Sequence, residues 1–141
     1  MPFLYDICPE LNLLVYIGSG TITVDEYYAT LALISADSRK TQSMLTLIDL
    51  LSASAIVELE NFSRIIDRVN ARAEKGLPVE PTAILTLDKG LVLTGETINL
   101  LPSKVPLQIE VVYTIEEAIA FLGLVDYKQE VIAFWKKTRG Y

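Results

Sequence analysis

Hydrophobic positions along the chain fall into short dense runs, separated by stretches in which they recur every third or fourth residue. The dense runs read as strands and the spaced ones as helices. Residues 3–7 and 11–18 are strand-like. Cys8-Pro9-Glu10 between them reads as a hairpin turn, and Gly18-Ser19-Gly20 as the end of the second strand. Thr23-Val24-Asp25-Glu26 has the form of a capping box, and Val24, Tyr27, Tyr28, Leu31 and Ile34 behind it predict a helix over Val24 to Ala36. The run Met44 to Leu50 is almost wholly apolar, as expected of a strand buried on both faces, and Ser52-Ala53-Ser54-Ala55 reads as a loop of small residues.

The clearest amphipathic helix follows. Leu59, Phe62, Ile66, Val69 and Ala73 form one stripe, opposite Arg64, Asp67, Arg68, Arg72 and Lys75, and Gly76 with Pro78 and Pro81 closes it. Thr82 to Asp88 predicts another buried strand, and Lys89 to Leu101 a helix weakened by Gly90, Thr94, Gly95 and Thr97. Leu107 to Tyr113 alternates as a strand. Thr114-Ile115-Glu116-Glu117 is a second capping box, opening a helix with Ala118, Ile119 and Leu122. After Gly123, a last helix carries Leu124, Tyr127, Val131 and Phe134 on one side. The expectation is an α/β fold, a hairpin-led and mostly parallel sheet of four to five strands flanked by helices. No linker or repeat divides the chain, so residues 1–141 read as a single domain with 125–141 an additional C-terminal helix.

Composition narrows the chemistry. The chain has no histidine and one cysteine, Cys8. A Ser-His-Asp or Cys-His nucleophile system cannot be built from such a chain, nor a histidine or multi-cysteine zinc site, nor an internal disulfide. Gly18-Ser19-Gly20 lacks the further glycine and lysine of a phosphate loop. The reading therefore assigns no catalytic residue, no metal and no cofactor, and expects a protein that is not an enzyme. A net charge of −6 argues against nucleic-acid binding. Lys136, Lys137 and Arg139 read as dipole partners at the end of the last helix. No apolar run reaches the ~20 residues that span a bilayer, and the start Met1-Pro2-Phe3 lacks a signal-peptide pattern. A cytoplasmic protein without membrane insertion is expected.

Several segments in this order are familiar: Gly18-Ser19-Gly20-Thr21-Ile22-Thr23, then Asp25-Glu26-Tyr27-Tyr28, the strand ending Leu47-Ile48-Asp49-Leu50, Ala83-Ile84-Leu85, and Thr114 through Leu122. Over roughly residues 3–123 the chain resembles the small bacterial proteins grouped as STAS/SEC14-like, whose fold is shared with anti-sigma-factor antagonists and lipid-binding CRAL-TRIO domains. The resemblance implies a STAS-like fold. For function it implies a non-enzymatic regulatory or protein-interaction domain, with a small apolar-ligand, lipid-like binding domain as the alternative. Anti-sigma-factor antagonists carry an Asp-Ser-Ser-Gly-type segment with a phosphorylated serine. Here Leu51-Ser52-Ala53-Ser54-Ala55 follows the strand, and Ser52 and Ser54 occupy the neighbourhood without the motif.

Open α/β sheets bind ligands at the carboxyl ends of their strands, where Asp49 to Ser54 and Asp88-Lys89-Gly90 are expected to meet. Asp49, Ser52, Ser54, Asp88 and Lys89 are thus candidates for a ligand or protein partner. The competing reading makes Ser52 or Ser54 the cap of the second helix and Asp88 the cap of the third. Tyr27 and Tyr28 are candidates to line an apolar slot between the first helix and the sheet. The final helix brings Tyr127, Val131, Ile132, Phe134 and Trp135. It folds back over its own sheet or packs on another chain, and the reading leans towards a homodimer contact through Tyr127, Val131, Phe134 and Trp135.

Overall fold

Two periods in the sequence resolve in space into one sheet with helices on both faces. The structure, a computed structural model, describes residues 3–41, 43–55, 59–77, 80–100 and 108–140. Pro78, Leu101, Leu107 and the side chains of Leu59 and Phe62, all used in the sequence reading, lie outside what is described. Strand β1 (Phe3–Cys8) pairs antiparallel with β2 (Leu13–Ile22). A 3-10 turn at Pro9–Leu11 joins them, and Asn12 leaves it in the left-handed region at φ 51°. Helix α1 (Val24–Ser35), strand β3 (Leu45–Ala55), helix α2 (Leu59–Glu74), strand β4 (Thr82–Leu85), helix α3 (Lys89–Leu100) and strand β5 (Ile109–Val112) follow. Helix α4 (Ile115–Phe121), a 3-10 turn at Val125–Tyr127 and helix α5 (Lys128–Arg139) end the chain's elements. The five strands lie in sequence order, and every pair after the hairpin is parallel.

Right-handed crossovers between sequential parallel strands put their helices on one face of the sheet. Side-chain alternation sorts the core accordingly. Leu14, Tyr16, Ile48 and Leu50 pack with Ile34 of α1 and Leu91 of α3. Leu13, Val15, Ile17, Leu47, Ala83 and Leu85 pack with Ile115, Ala118 and Ile119 of α4 and Val131 of α5. No helix among the described residues is long and apolar enough to cross a membrane.

The first capping signal acts as read and the second in part. Thr23 Oγ1 accepts from the Glu26 N–H at 3.1 Å and Glu26 Oε1 accepts from the Thr23 N–H at 3.2 Å, closing the first capping box. At the second, Thr114 Oγ1 accepts from the Glu117 N–H, whereas Glu117 reaches back to the N–H of Tyr113. Strand lengths differ from the reading. Gly18-Ser19-Gly20 does not end β2, and Ser52 to Ala55 is not a loop. Ser19 to Ile22 pairs with Ser52 to Ala55 as a parallel ribbon beyond the last β3–β4 pair at Asp49 and Leu85. A register shift between Ile17 and Ser19 starts the ribbon, with Gly18 at its centre. A Cβ there would lie 2.7 Å from Leu50 Cδ2 and 3.0 Å from the Phe3 ring.

Candidate functional site

Leu45, Leu47, Asp49 and Leu51 alternate on β3 and face the side of the sheet covered by α4 and α5. A carboxylate in such a row must find partners, because burying an unpaired charge is prohibitive. Asp49 is fully buried. Its Oδ1 accepts from the Leu51 N–H at 3.0 Å, and its Oδ2 accepts from Trp135 Nε1 at 2.7 Å and from the Arg139 guanidinium. Arg139 also lies 5.5 Å over the Trp135 ring and approaches Ser52 Oγ at 3.5 Å. Val131, Trp135 and Arg139 recur at four-residue steps, so one stripe of α5 delivers a core residue, an indole donor and a cation to the sheet. Both carboxylate oxygens are engaged, and Asp49 serves as an anchor.

That arrangement decides the role of the last helix. It folds back over its own sheet. Val131 is buried within the chain, and Phe134 and Trp135 pack part-buried against the same core. Of the residues expected to meet a second chain, Val131 is thus wholly used in cis, and Phe134 and Trp135 are used in cis in part. Tyr127 alone of the four remains largely exposed.

Asp88 follows the capping reading. Its Oδ1 accepts from the Leu91 N–H at 3.0 Å, and its own N–H donates to Thr86 Oγ1 at 3.1 Å. Asp49 and Asp88 thus have separate partners and separate structural jobs. Ser52 and Ser54 sit inside β3, exposed, and cap no helix. Cys8 is half-buried, its thiol donating to Glu10 Oε2, and burial pushes its pKa up.

Tyr27 and Tyr28 join Phe3 and Tyr16 in an aromatic cluster between α1 and the sheet. Tyr27 lies 6.2 Å from Phe3, 5.9 Å from Tyr16 and 5.6 Å from Tyr28, ring centre to ring centre. The rings pack against one another at the seam that the sequence reading offered as an apolar slot. Arg64 lies 4.8 Å over the Tyr28 ring. The hydroxyls of Tyr16 and Tyr28 are buried without a hydrogen-bond partner among the described residues. Burial pushes the Tyr16 phenol far above its ordinary value and that of Tyr27 up to about 12.

Lys89 lines a surface feature that the sequence reading missed. Beyond the carboxyl ends of β4 and β5, Leu87, Lys89, Val92, Leu93, Glu96 and Tyr113 border an open groove of about 380 Å³. Leu87 is 67% exposed, Leu93 64% and Tyr113 50%. Three large apolar side chains thus lie exposed at one groove, with a lysine and a glutamate beside them. Its only signal in the sequence is the 89, 92, 93, 96 spacing on a helix that its glycines and threonines obscure.

No family model matches the chain, and no curated protein matches it. A solved structure does. It is an uncharacterized protein of the DUF3478 family with a SpoIIAA-like fold, from Shewanella loihica PV-4. The match has a TM-score of 0.53 and 16% identity, covering 85% of this chain and 93% of that one. The fold is therefore of the SpoIIAA-like, STAS type, as the resemblance implies.

Proposed function

We propose that this chain is a non-enzymatic regulatory or protein-interaction domain of the bacterial cytoplasm, and that it works through the groove beside α3. The exposed groove carries this reading. Burying the apolar surface of Leu87, Leu93 and Tyr113 against a protein is favourable at about 25 cal/mol per Å², whereas leaving it in water serves no purpose in the fold. The candidate reactive groups support the same view: Asp49 is an anchor, Asp88 a cap, and Cys8 a raised thiol.

Photo-crosslinking in cells that express the protein tests the reading. A photoreactive phenylalanine analogue is placed at Leu93, with Leu33, an exposed residue of α1, as the control position. A discrete protein adduct from position 93 and none from position 33 is expected. No adduct at 93, or the same adducts from both positions, overturns the groove as a contact site.

A further inference from the structure

Four of the groove residues occupy successive positions of one helical stripe. Lys89, Val92, Leu93 and Glu96 are spaced i, i+3, i+4, i+7 along α3, which gathers them on one face over two turns. The stripe is symmetric about its own middle: a cation and an anion at its ends are equidistant from the point between the two apolar residues. Two-fold interfaces have this property, because residue i of one copy meets residue j of the other and j meets i. Lys89 and Glu96 are exposed, and neither has an ion pair with another described residue. α3 packs on β5, the strand at the edge of the sheet, with no further strand outside it among the described residues. Leu87 and Tyr113 add apolar surface to the same groove.

We propose that the occupant of this groove is a second copy of the chain. Helix α3 packs antiparallel on the same helix of its partner about a two-fold axis passing between Val92 and Leu93. Lys89 then lies opposite Glu96 of the partner subunit, and Val92 opposite Leu93 of the partner subunit. The inference rests on the groove being a contact site and adds the identity and geometry of what fills it. It places the dimer contact on α3, whereas Val131 of α5 is buried within its own chain.

Charge exchange tests the geometry. Lys89→Glu leaves two glutamates on each copy and Glu96→Lys two lysines, so each single variant opposes like charges twice across the axis. Both positions are exposed, and an acidic residue in the first turn of a helix is favourable, so both variants fold. Sedimentation velocity over a concentration series is expected to show a wild-type dimer. Each single variant is expected to associate at least about 10-fold more weakly. An equimolar mixture of the two singles and the Lys89→Glu/Glu96→Lys double variant are both expected to recover wild-type association to within about 3-fold. A wild-type protein that stays monomeric, singles that dimerise like wild type, or a mixture no better than its components overturns the inference. A monomer that still crosslinks through position 93 to a different protein overturns the dimer and leaves the contact reading standing. A protein giving no adduct at 93 loses both.

Discussion

The indole N–H of Trp135 donates to Asp49 Oδ2 at 2.7 Å, so residues 86 positions apart share one buried carboxylate. Arg139, one turn further along α5, neutralises the same oxygen, with the carboxylate fully buried and the arginine side chain 14% exposed. The last helix is thereby pinned to the middle of the sheet by chemistry as well as by the apolar packing of Val131.

Removing one partner of this pair should cost far more than removing both. Arg139→Met is expected to destabilise by about 3–5 kcal/mol, because it leaves a carboxylate uncompensated in the core. Trp135→Phe, which deletes one neutral donor and leaves the charge paired, is expected to cost about 1–3 kcal/mol. Asp49→Leu combined with Arg139→Met should recover most of the loss. Urea denaturation of the set checks the order, and an Arg139→Met variant within about 0.5 kcal/mol of wild type would show that the pair carries little.

Tyr16→Phe is expected to leave stability unchanged or raise it by about 1 kcal/mol, since the hydroxyl it removes is buried and has no hydrogen-bond partner among the described residues. The phenyl ring keeps the edge contact with Tyr27. Thermal unfolding decides, and a clear drop in midpoint would mean that the hydroxyl makes a stabilising contact.

How far the sequence alone reaches is visible in these residues. The capping box at Thr23 and Glu26 is legible because every participant lies within four residues. The strand at Ser52 to Ala55 is not, because small residues have little strand preference of their own and the pairing comes from Ser19 to Ile22. Asp49 is half legible. A charge inside an apolar run announces a need for a partner, but the run does not say that Arg139 answers it. The tail cations read locally as helix-end charges, and only the packing of α5 on the sheet turns one of them inward. The groove was missed for a related reason: exposure is a property of the finished surface, whereas the pattern of Lys89 to Leu100 shows only a weak helix.

Strong acid should act on the cluster of Tyr5, Asp37 and Arg39. Asp37 accepts from the Arg39 side chain at 2.9 and 3.1 Å, from the Arg39 N–H at 2.9 Å and from the Tyr5 hydroxyl at 3.1 Å. The Arg39 guanidinium, then its N–H, hold the Asp37 carboxyl well below its ordinary 3.8. The folded state thus binds fewer protons than the unfolded one in this range. The stabilisation is present above about pH 4 and is lost as pH falls towards the folded value. Denaturation midpoints of wild type and Asp37→Asn should be well apart at neutral pH and converge in strong acid. A gap independent of pH would show that the carboxylate charge is not what the cluster uses.

Alkali should act on the aromatic cluster. Burial raises the Tyr27 phenol from 10.0 to about 12, so the folded state keeps a proton that the unfolded state gives up. This stabilisation is whole below pH 10 and is lost as pH climbs towards 12. The part of the phenolate absorbance that Tyr27→Phe removes should therefore rise together with the loss of tertiary structure. A Tyr27 that ionises near its ordinary value in the intact fold would show that its hydroxyl reaches water.

The Asp49–Arg139 pair also sets an order in time. A chain is made from its amino end at about 5–20 residues per second, and the two residues are 90 positions apart. The sheet's central carboxylate is thus in place on the order of 5–20 s before its counter-charge has been synthesised. Through that interval Asp49 has no Arg139 to pair with, so the buried position it takes in the finished sheet is not yet compensated. A chain stopped before the last helix is expected to leave the Asp49 face of the sheet without the cover that Val131 and Trp135 give it.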